Sequence, residues 1–426
     1  MTDTQERYVC GLDVGTTKVC AVVGRVDVAD ALAITGVGLV PSRGMERGVV
    51  VDRQMAIECI REAIRKAQGD TGLRIVSVYV GVTGAHISSV NVRGRAYITG
   101  AQVTAADVEQ AVASAQDSVP LTTDRRIIHS VVRDFAVDGE RGIRRPLGMV
   151  GRQLDVNLHV VTGRGSIVDN VLKCVEEAGV QPREQVLEPQ ATAVAVLTDA
   201  EQRLGCVLVD IGGGTTDVSV FADGSICLTS AIAVAGNHVT MDLAKVLRVA
   251  PEEAERVKRE YGHAIAEEVP EDEEVEVTVV GTDAKELVPR RLIAEILQAR
   301  MEEIFAGVAE RLTAERLWSL APAGVVISGG GASLPGAARL ATMALRGLPA
   351  RLGSPRDLAG EMALVELPMF ATGVGLARIA AVDEAWCTKR GGGSVAQKTT
   401  AATRGALARV REKVLEAWHR FRAQRQ

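Results

Sequence analysis

Short apolar runs bounded by glycine alternate along the chain with longer stretches whose apolar positions fall three and four residues apart. The first kind reads as buried strand and the second as amphipathic helix. VCGLDVG, KVCAVVGRV and ALAITGVGLV predict three opening strands. VDRQMAIECIREAIRKAQ predicts a helix with Ile57, Ile60 and Ile64 on its inner face, and IVSVYVGVTG another buried strand. From about Ala85 the pattern changes. HISSVNVRGRAYIT alternates as a strand, TAADVEQAVASAQ starts on a threonine cap and runs as a helix, and RRIIHSVVRDFAV and LDVNLHVV are strands again. This strand–helix–strand–strand unit reads as a module inserted into a larger lobe. VDNVLKCVEEAG is then a helix, and QVLEPQATAVAVLT a strand followed by a helix.

A second lobe is expected to start near Leu204 with GCVLVDIGGGTTDVSVF and SICLTSAIAVAGNHVT. The charged stretch APEEAERVKREYGHA follows. The acidic run Glu267 to Glu276 reads as a solvated loop. PRRLIAEILQARMEEIFAGVAERL is a long helix, and AGVVISGGGASLPGAARLA reads strand, glycine turn, helix. The globular part is expected to end near Ala385. CTKRGGGSVAQKTTAATRG, rich in small residues and without acids, reads as a flexible tether. In the closing stretch Leu407, Val410, Val414, Trp418 and Phe421 share one helical face, and six basic residues stand against two acidic ones. An apolar stripe flanked by arginine suits a helix lying in a membrane interface, favoured by anionic lipid, and its charges keep it from spanning.

At 426 residues the chain exceeds one core, so several domains are expected. Aromatics are only 3% of residues, so Ala, Val, Leu and Ile must build the interior. The net charge of −5 gives no general attraction to nucleic acid. The seven cysteines are scattered without a C-x-x-C pair, which fits a reducing compartment and neither disulfides nor zinc. The opening residues lack an apolar signal core, and no apolar run is long enough to cross a bilayer.

The candidate chemistry is a repeated hairpin. Asp13-Val14-Gly15-Thr16-Thr17-Lys18 joins two apolar strands, and Asp210-Ile211-Gly212-Gly213-Gly214-Thr215-Thr216-Asp217 joins two more. A third glycine cluster, Gly329-Gly330-Gly331, follows the strand GVVI. Glycine lets backbone N–H groups approach phosphate oxygens without a Cβ between them. The threonine hydroxyls add donors, and Lys18 adds positive charge for the terminal phosphates. Mg²⁺ keeps most of its waters and takes few carboxylates, so Asp13 and Asp210 are expected to hold it from opposite sides. Asp210 is also placed to orient an attacking water. A single such motif is equally an ordinary glycine turn; two with matching flanks, plus the third cluster, point to ATP and Mg²⁺ between two lobes.

These residues resemble the actin/Hsp70/sugar-kinase ATPase superfamily. Within it, VGLVPSRGMERGVV, SVYVGVTGAHIS, GVVISGGGASLPG and AVAGNHVTMDLA resemble the FtsA family of bacterial cell-division proteins, as does the order of the pieces. The resemblance covers essentially the whole chain. It implies an α/β, actin-like two-lobe fold with an inserted subdomain and a C-terminal amphipathic helix. The first core subdomain is then expected at 1–82, 159–203 and 352–386, and the insert at 83–158. The second core subdomain is expected at 204–240 and 288–351, its small partner at 241–287, the linker at 387–404 and the membrane-targeting helix at 405–426.

The resemblance also implies roles. Glu255, Lys258 and Arg259 correspond to a helix touching adenosine, though a solvated charged helix explains them equally. Gly329, Gly330 and Gly331 correspond to the adenosine loop, and Gly236 and Asn237 are further candidates for the cleft. Glu188, in LEPQATAVAV, resembles a segment of MreB whose glutamate positions the hydrolytic water; it is equally a favourable acid at a helix N-terminus. Arg290, Arg291 and Arg300 border the site for the acidic, apolar C-terminal tail of FtsZ, or form solvated pairs with Glu295 and Glu303.

The implied function is a polymerising, ATP-binding adaptor that holds FtsZ filaments to the inner face of the membrane at the septum and recruits later division proteins. A sugar kinase would need a substrate pocket and has no use for a basic amphipathic tail. An Hsp70 would need a peptide-binding domain longer than the remaining residues. A PilM-like pilus scaffold shares the insert but is not expected to carry the terminal helix.

Overall fold

A computed structural model of the chain describes residues 7–27, 31–281, 285–358, 363–383 and 388–389. The expected terminal helix, with Leu407, Val410, Val414, Trp418 and Phe421, lies outside the described residues, as does the linker apart from 388–389.

The strand Arg7–Val14 turns at Gly15 and returns antiparallel as Lys18–Val26, with Asp13 opposite Cys20. Leu32–Pro41 extends the sheet on one side. Ser77–Val82 and then Gln181–Leu187 add in parallel on the other, giving five strands. The helix Arg53–Thr71 is capped by Asp52, whose side chain accepts from the Met55 N–H, and it buries Ile57, Ile60 and Ile64. Each fully buried isoleucine contributes roughly 1.5–3 kcal/mol. The helix Ala371–Val382 covers the same sheet and presses on the helix Glu188–Val196. A Cβ on Gly375 would lie 1.8 Å from the Ala191 carbonyl oxygen, so only glycine permits that approach.

The second lobe repeats the plan. Cys206–Ile211 returns as Thr216–Ala222, with Asp210 opposite Asp217, and Ser225–Ile232 follows antiparallel. Val325–Ser328 and Ala350–Leu352 add in parallel on the other side. The strand order around each hairpin is therefore the same. The helices Gly236–Leu247, Pro251–Tyr261 and Arg290–Ala314 pack on this lobe around Leu243, Val257, Leu297 and Phe305.

The module between the lobes contains Ser88–Tyr97, the helix Ala105–Asp117, Arg125–Val137 and Gln153–Arg164. Thr104 caps the helix in a reciprocal box with Asp107. The structure adds a strand that the sequence pattern missed. Glu140–Ile143 folds back on Arg125–Val137 through Asp138 and Gly139, both at positive φ. Asp-Gly between apolar stretches is a strong hairpin signal.

Two other features differ from expectation. The acidic run is not a loop throughout: Glu274–Thr278 pairs with Lys285–Pro289 and buries Val275 and Val277, while its glutamates face out. The inserted module also does not stand apart. Ser88 pairs with Ser230, which joins its four strands to the five of the second lobe in one nine-stranded sheet. No helix among the described residues is long and apolar enough to cross a membrane.

Candidate functional site

Both hairpin turns face each other between the lobes. The first is closed by the Gly15 N–H donating to the Lys18 carbonyl at 2.9 Å, and the second by the Gly212 N–H donating to the Thr215 carbonyl at 3.0 Å. A Cβ on Gly213 would lie 2.3 Å from Thr17 Cγ2, and one on Gly214 would lie 2.5 Å from Thr16 Oγ1. Glycine at 213 and 214 is thus what lets the second turn meet Thr16 and Thr17. The Gly236 N–H donates to the Gly212 carbonyl and the Asn237 N–H to the Gly213 carbonyl, so the helix Gly236–Leu247 starts against the turn. A Cβ on Gly331 would press on Ile211, and Gly331 Cα lies 3.9 Å from where a Cβ on Gly236 would stand. The three glycine clusters seen in the sequence therefore converge.

Four carboxylates line this junction. Asp13, Glu188, Asp210 and Asp217 are each less than a tenth exposed. Lys18 forms an ion pair with Asp13. Burial alone would lower the Lys18 ammonium, but the Asp13 carboxylate, with Cys20 and Glu188, holds it above its ordinary value. Glu188 is raised well above the usual range by burial first, then by the charges of Asp13, Asp217 and Asp210. It is the first residue of its helix and lies across Gly81, where a Cβ would come within 2.9 Å of its Cγ. Glu188 is thus both a helix N-terminal acid and a member of the cleft cluster.

Burial also raises Asp210, against the hydroxyls of Thr192 at 2.7 Å and Thr372 at 3.4 Å, which donate to its Oδ2. Gly329, at positive φ, sits where a Cβ would lie 2.3 Å from Asp210 Oδ1. Burial pushes Asp217 up to about 7, with Asp210 and Asp13 adding to the rise, although the Thr83 hydroxyl donates to it at 2.7 Å.

Sequence reasoning named Asp13, Asp210 and Glu188 but gave Asp217, Thr83, Thr192 and Thr372 no role. Asp217 was visible in the second motif. The threonines come from distant segments and carry no local signal.

The residues present fit a phosphate and a cation. Bare backbone at Gly213 and Gly214 offers donors, and the crowded acids are held above their usual range, an arrangement that a cation would relieve. Among the described residues no group of three or more His, Cys, Asp or Glu side chains is set to enclose a metal alone. Mg²⁺ needs only one or two carboxylates beside phosphate and water.

The remaining candidates divide. Glu255 accepts from the Thr240 hydroxyl at 2.6 Å, and Lys258 pairs with Glu255 at 2.5 Å and donates to Thr240 at 2.7 Å. This trio stands beside Gly236, whereas Arg259 is exposed. The Thr216 hydroxyl donates to the Val234 carbonyl at 2.7 Å and so braces the strand-to-helix connection. Arg290 pairs with Glu273 and donates to the Tyr261 carbonyl, and Arg291 pairs with Glu271. These two arginines tie down the acidic run.

Arg300 instead lines a groove of about 370 Å³ with Asp242, Lys245, Val246, Ile296, Ala299 and Glu303. It is held there by Asp242 at 2.5 Å and by Glu303. Among the described residues no candidate links Arg290 or Arg291 to that groove.

Comparison with known proteins identifies the family. The cell division protein FtsA of Pseudomonas aeruginosa is 39% identical over 370 residues, spanning 87% of this chain and 88% of its own length. The chain belongs to the FtsA family of cell division proteins. FtsA of Neisseria meningitidis serogroup B is 36% identical over 410 residues, 96% of this chain and 98% of that protein. FtsA of Escherichia coli K12 is 34% identical over 380 residues, 88% and 90%.

The family profile for Cell division protein FtsA matches residues 207–375, and that for the SHS2 domain inserted in FtsA matches 84–162. A Hydantoinase/oxoprolinase profile also matches 149–260, across the second hairpin. Among solved structures, a chain of the PilM-PilN type IV pilus biogenesis complex superposes with a TM-score of 0.60 at 19% identity, covering 87% of this chain and 97% of that one. MreB5 of Spiroplasma citri bound to ADP gives 0.52 at 16%, covering 89% and 97%. These likenesses establish the actin-like fold, and FtsA family membership places the chain in cell division.

The buried acids generate a pH prediction. Asp217 is held near 7, above its ordinary 3.8. A group raised on folding stabilises the fold below its unfolded value and loses that contribution as pH rises through the folded one. The interval from 3.8 to about 7 corresponds to at most about 4 kcal/mol. Without nucleotide or divalent cation, Asp217→Asn should therefore melt above wild type at pH 8, with the gap narrowing toward pH 5. A gap that does not vary with pH would contradict the buried-acid assignment.

Proposed function

We propose that this FtsA-family chain binds ATP with Mg²⁺ between its lobes and assembles head to tail into protofilaments. In this reading it tethers FtsZ filaments to the cytoplasmic face of the inner membrane at the division septum and helps recruit later division proteins. The observation that carries the reading is the convergence of two glycine turns and a third glycine cluster on four buried carboxylates.

When bound, Mg²⁺ neutralises phosphate charge. Asp13 and Asp210 would hold it through water, with Thr192 and Thr372 fixing the Asp210 carboxylate. The N–H groups of Gly213, Gly214, Thr16 and Thr17 would take the phosphates, and Lys18 would add charge while remaining paired with Asp13. Gly329–Gly331 would lie under the nucleoside, with Glu255 and Lys258 at its edge. Asp210 and Glu188 would orient a hydrolytic water, which makes a slow ATPase the expected chemistry.

Head-to-tail contacts build open polymers when the rotation between copies does not close, and the insert is expected to take part in them. In this reading an acidic, partly apolar tail would lie in the Arg300 groove, with Lys245 beside Val246 and Ile296, and would compete with Asp242 and Glu303 for Arg300. The membrane contact falls to the 405–426 stretch, whose apolar stripe and excess of arginine suit anionic lipid.

Asp210→Ala should lose Mg²⁺-dependent ATP affinity by about a hundredfold or more, roughly 2.7 kcal/mol, with its fold intact by circular dichroism. Wild-type affinity in calorimetry would remove Asp210 from the site.

Arg300→Glu should weaken an FtsZ C-terminal tail peptide by about tenfold, roughly 1.4 kcal/mol, in fluorescence anisotropy. Unchanged affinity would place the tail elsewhere.

Trp418→Glu should release the full chain from anionic vesicles in flotation at moderate salt. If the variant floats as wild type does, the terminal stretch is not the anchor.

A further inference from the structure

The base of the insert touches the nucleotide cleft by two routes. Thr83 immediately follows the strand Ser77–Val82, and the first insert strand starts five residues later at Ser88. Its hydroxyl crosses to the second lobe and donates to Asp217 Oδ1 at 2.7 Å. Asp217 is the second residue of the return strand of the phosphate hairpin, after Thr216.

The other route runs through Arg47 and Gly48, both at positive φ. A Cβ on Gly214 would lie 3.0 Å from the Arg47 N, and a Cβ on Gly48 would lie 2.7 Å from the Thr83 carbonyl oxygen and 2.8 Å from Gly84 Cα. A Cβ on Gly84 would in turn lie 3.2 Å from the Arg47 carbonyl oxygen. The turn at 47–48 is therefore wedged between the phosphate loop and the root of the insert. A shift of either requires the other to give.

The far side of the root is a seam held mainly by side chains. One strand pair, Ser88 with Ser230, carries the sheet across from the insert to the second lobe. Around it the Ser89 hydroxyl donates to the Thr229 carbonyl at 2.8 Å and accepts from the Thr229 N–H at 3.0 Å. Asn91 donates to the Cys227 carbonyl at 2.8 Å, and the Ser225 hydroxyl donates to the Arg133 carbonyl at 3.2 Å. His159, fully buried, bridges Asn91 at 2.8 Å and Thr229 at 3.1 Å. Side-chain hydrogen bonds of this kind each add little net stability. A seam built from them can open as a unit without unfolding either lobe.

We propose that Thr83 is a positioning residue that couples the phosphate loop to the docking of the insert, so that an occupied cleft fastens the insert onto the second lobe. This rests on the nucleotide reading above. Phosphate seated on Gly212–Gly214 fixes the loop that bears on Arg47 and leads into Asp217. A fixed Asp217 holds Thr83, and with it the root of the strand that carries Ser88, Ser89 and Asn91. Coupling of this sort needs an element with two arrangements that both sites bias, and the seam supplies it as docked or released. The insert is then presented for assembly in one orientation only when nucleotide is bound.

The test uses the full chain. Hydrogen exchange read by mass spectrometry, with and without Mg²⁺ and a non-hydrolysable ATP analogue, reports the seam through peptides covering 85–93 and 225–232. Calorimetry with the same analogue reports binding separately. Wild type should bind, and its seam peptides should exchange about threefold or more slowly in the complex. With each variant saturated at the concentration its calorimetry sets, Thr83→Val should lose most of that protection, and Thr83→Ser, which keeps the hydroxyl, should restore it.

Binding by wild type with no change at the seam overturns the coupling, and that comparison stands even if Thr83→Val fails to fold. A full seam response in Thr83→Val overturns the role of Thr83. Absence of binding by wild type overturns the nucleotide reading itself, and the coupling with it.

Discussion

Everything near the cleft depends on burying four carboxylates around one lysine. Asp13, Glu188, Asp210 and Asp217 are nearly inaccessible, and Lys18 forms an ion pair with Asp13. Isolated charges in such a place cost several kcal/mol each, so the chain spends hydroxyls on them. Thr192 and Thr372 donate to Asp210, and Thr83 donates to Asp217. What remains uncompensated is visible at Glu188, Asp210 and Asp217, whose carboxyls burial holds above their ordinary range. A stability optimum would place apolar groups there. Keeping the acids leaves the junction short of positive charge, and that is the condition under which a cation and its phosphates add more than they displace.

Glycine makes this concentration possible. The two hairpins follow one strand order, so each lobe delivers an aspartate and a turn to the same face. Bringing those faces together leaves no space for side chains at Gly213, Gly214 or Gly329, where a Cβ would lie within 2.5 Å of Thr17, Thr16 or Asp210. Each of these positions is held by what lies opposite it. The same logic acts in the cores: Gly38 lies where a Cβ would come 1.7 Å from the Ala63 carbonyl oxygen, and Gly375 does the same against Ala191. A chain with few aromatics reaches close packing by bringing backbone against backbone.

The elements were legible where the pattern is local. The helix Arg53–Thr71 shows its buried face in Ile57, Ile60 and Ile64, and the helix Ala105–Asp117 shows its start in Thr104. Both hairpins were marked by aspartate, glycine and threonine between apolar runs, and the converging glycines at 329–331 by the strand before them. What was not legible depends on distance or register. Thr192 and Thr372 meet at Asp210 from helices 180 residues apart, and nothing in either neighbourhood announces it. Glu274–Thr278 was hidden because charge density outweighed a two-residue alternation of Val275 and Val277. The pairing of Ser88 with Ser230 is a statement about two edges, and an edge strand reads like any other until its neighbour is known. Arg290, Arg291 and Arg300 look alike as sequence, yet the acidic run that Arg290 and Arg291 bind lies about twenty residues upstream, while Arg300 answers to Asp242 on another helix.

That last pair joins two parts of the molecule that sequence treats separately. The helix Gly236–Leu247 starts with its Gly236 and Asn237 N–H groups against the Gly212–Gly214 turn, so its N-terminal partial charge points toward the phosphate loop. Further along, Asp242, Lys245 and Val246 form one wall of the Arg300 groove. Twelve residues of α-helix span roughly 18 Å and bend little, so both ends move as one body. Leu243 and Leu247 bury the helix in the second lobe, and Lys258 ties its first turn through Thr240 and the Gly236 carbonyl. The cleft and the groove thus share one structural element, whose first turn braces the glycine turn and whose later residues wall the groove.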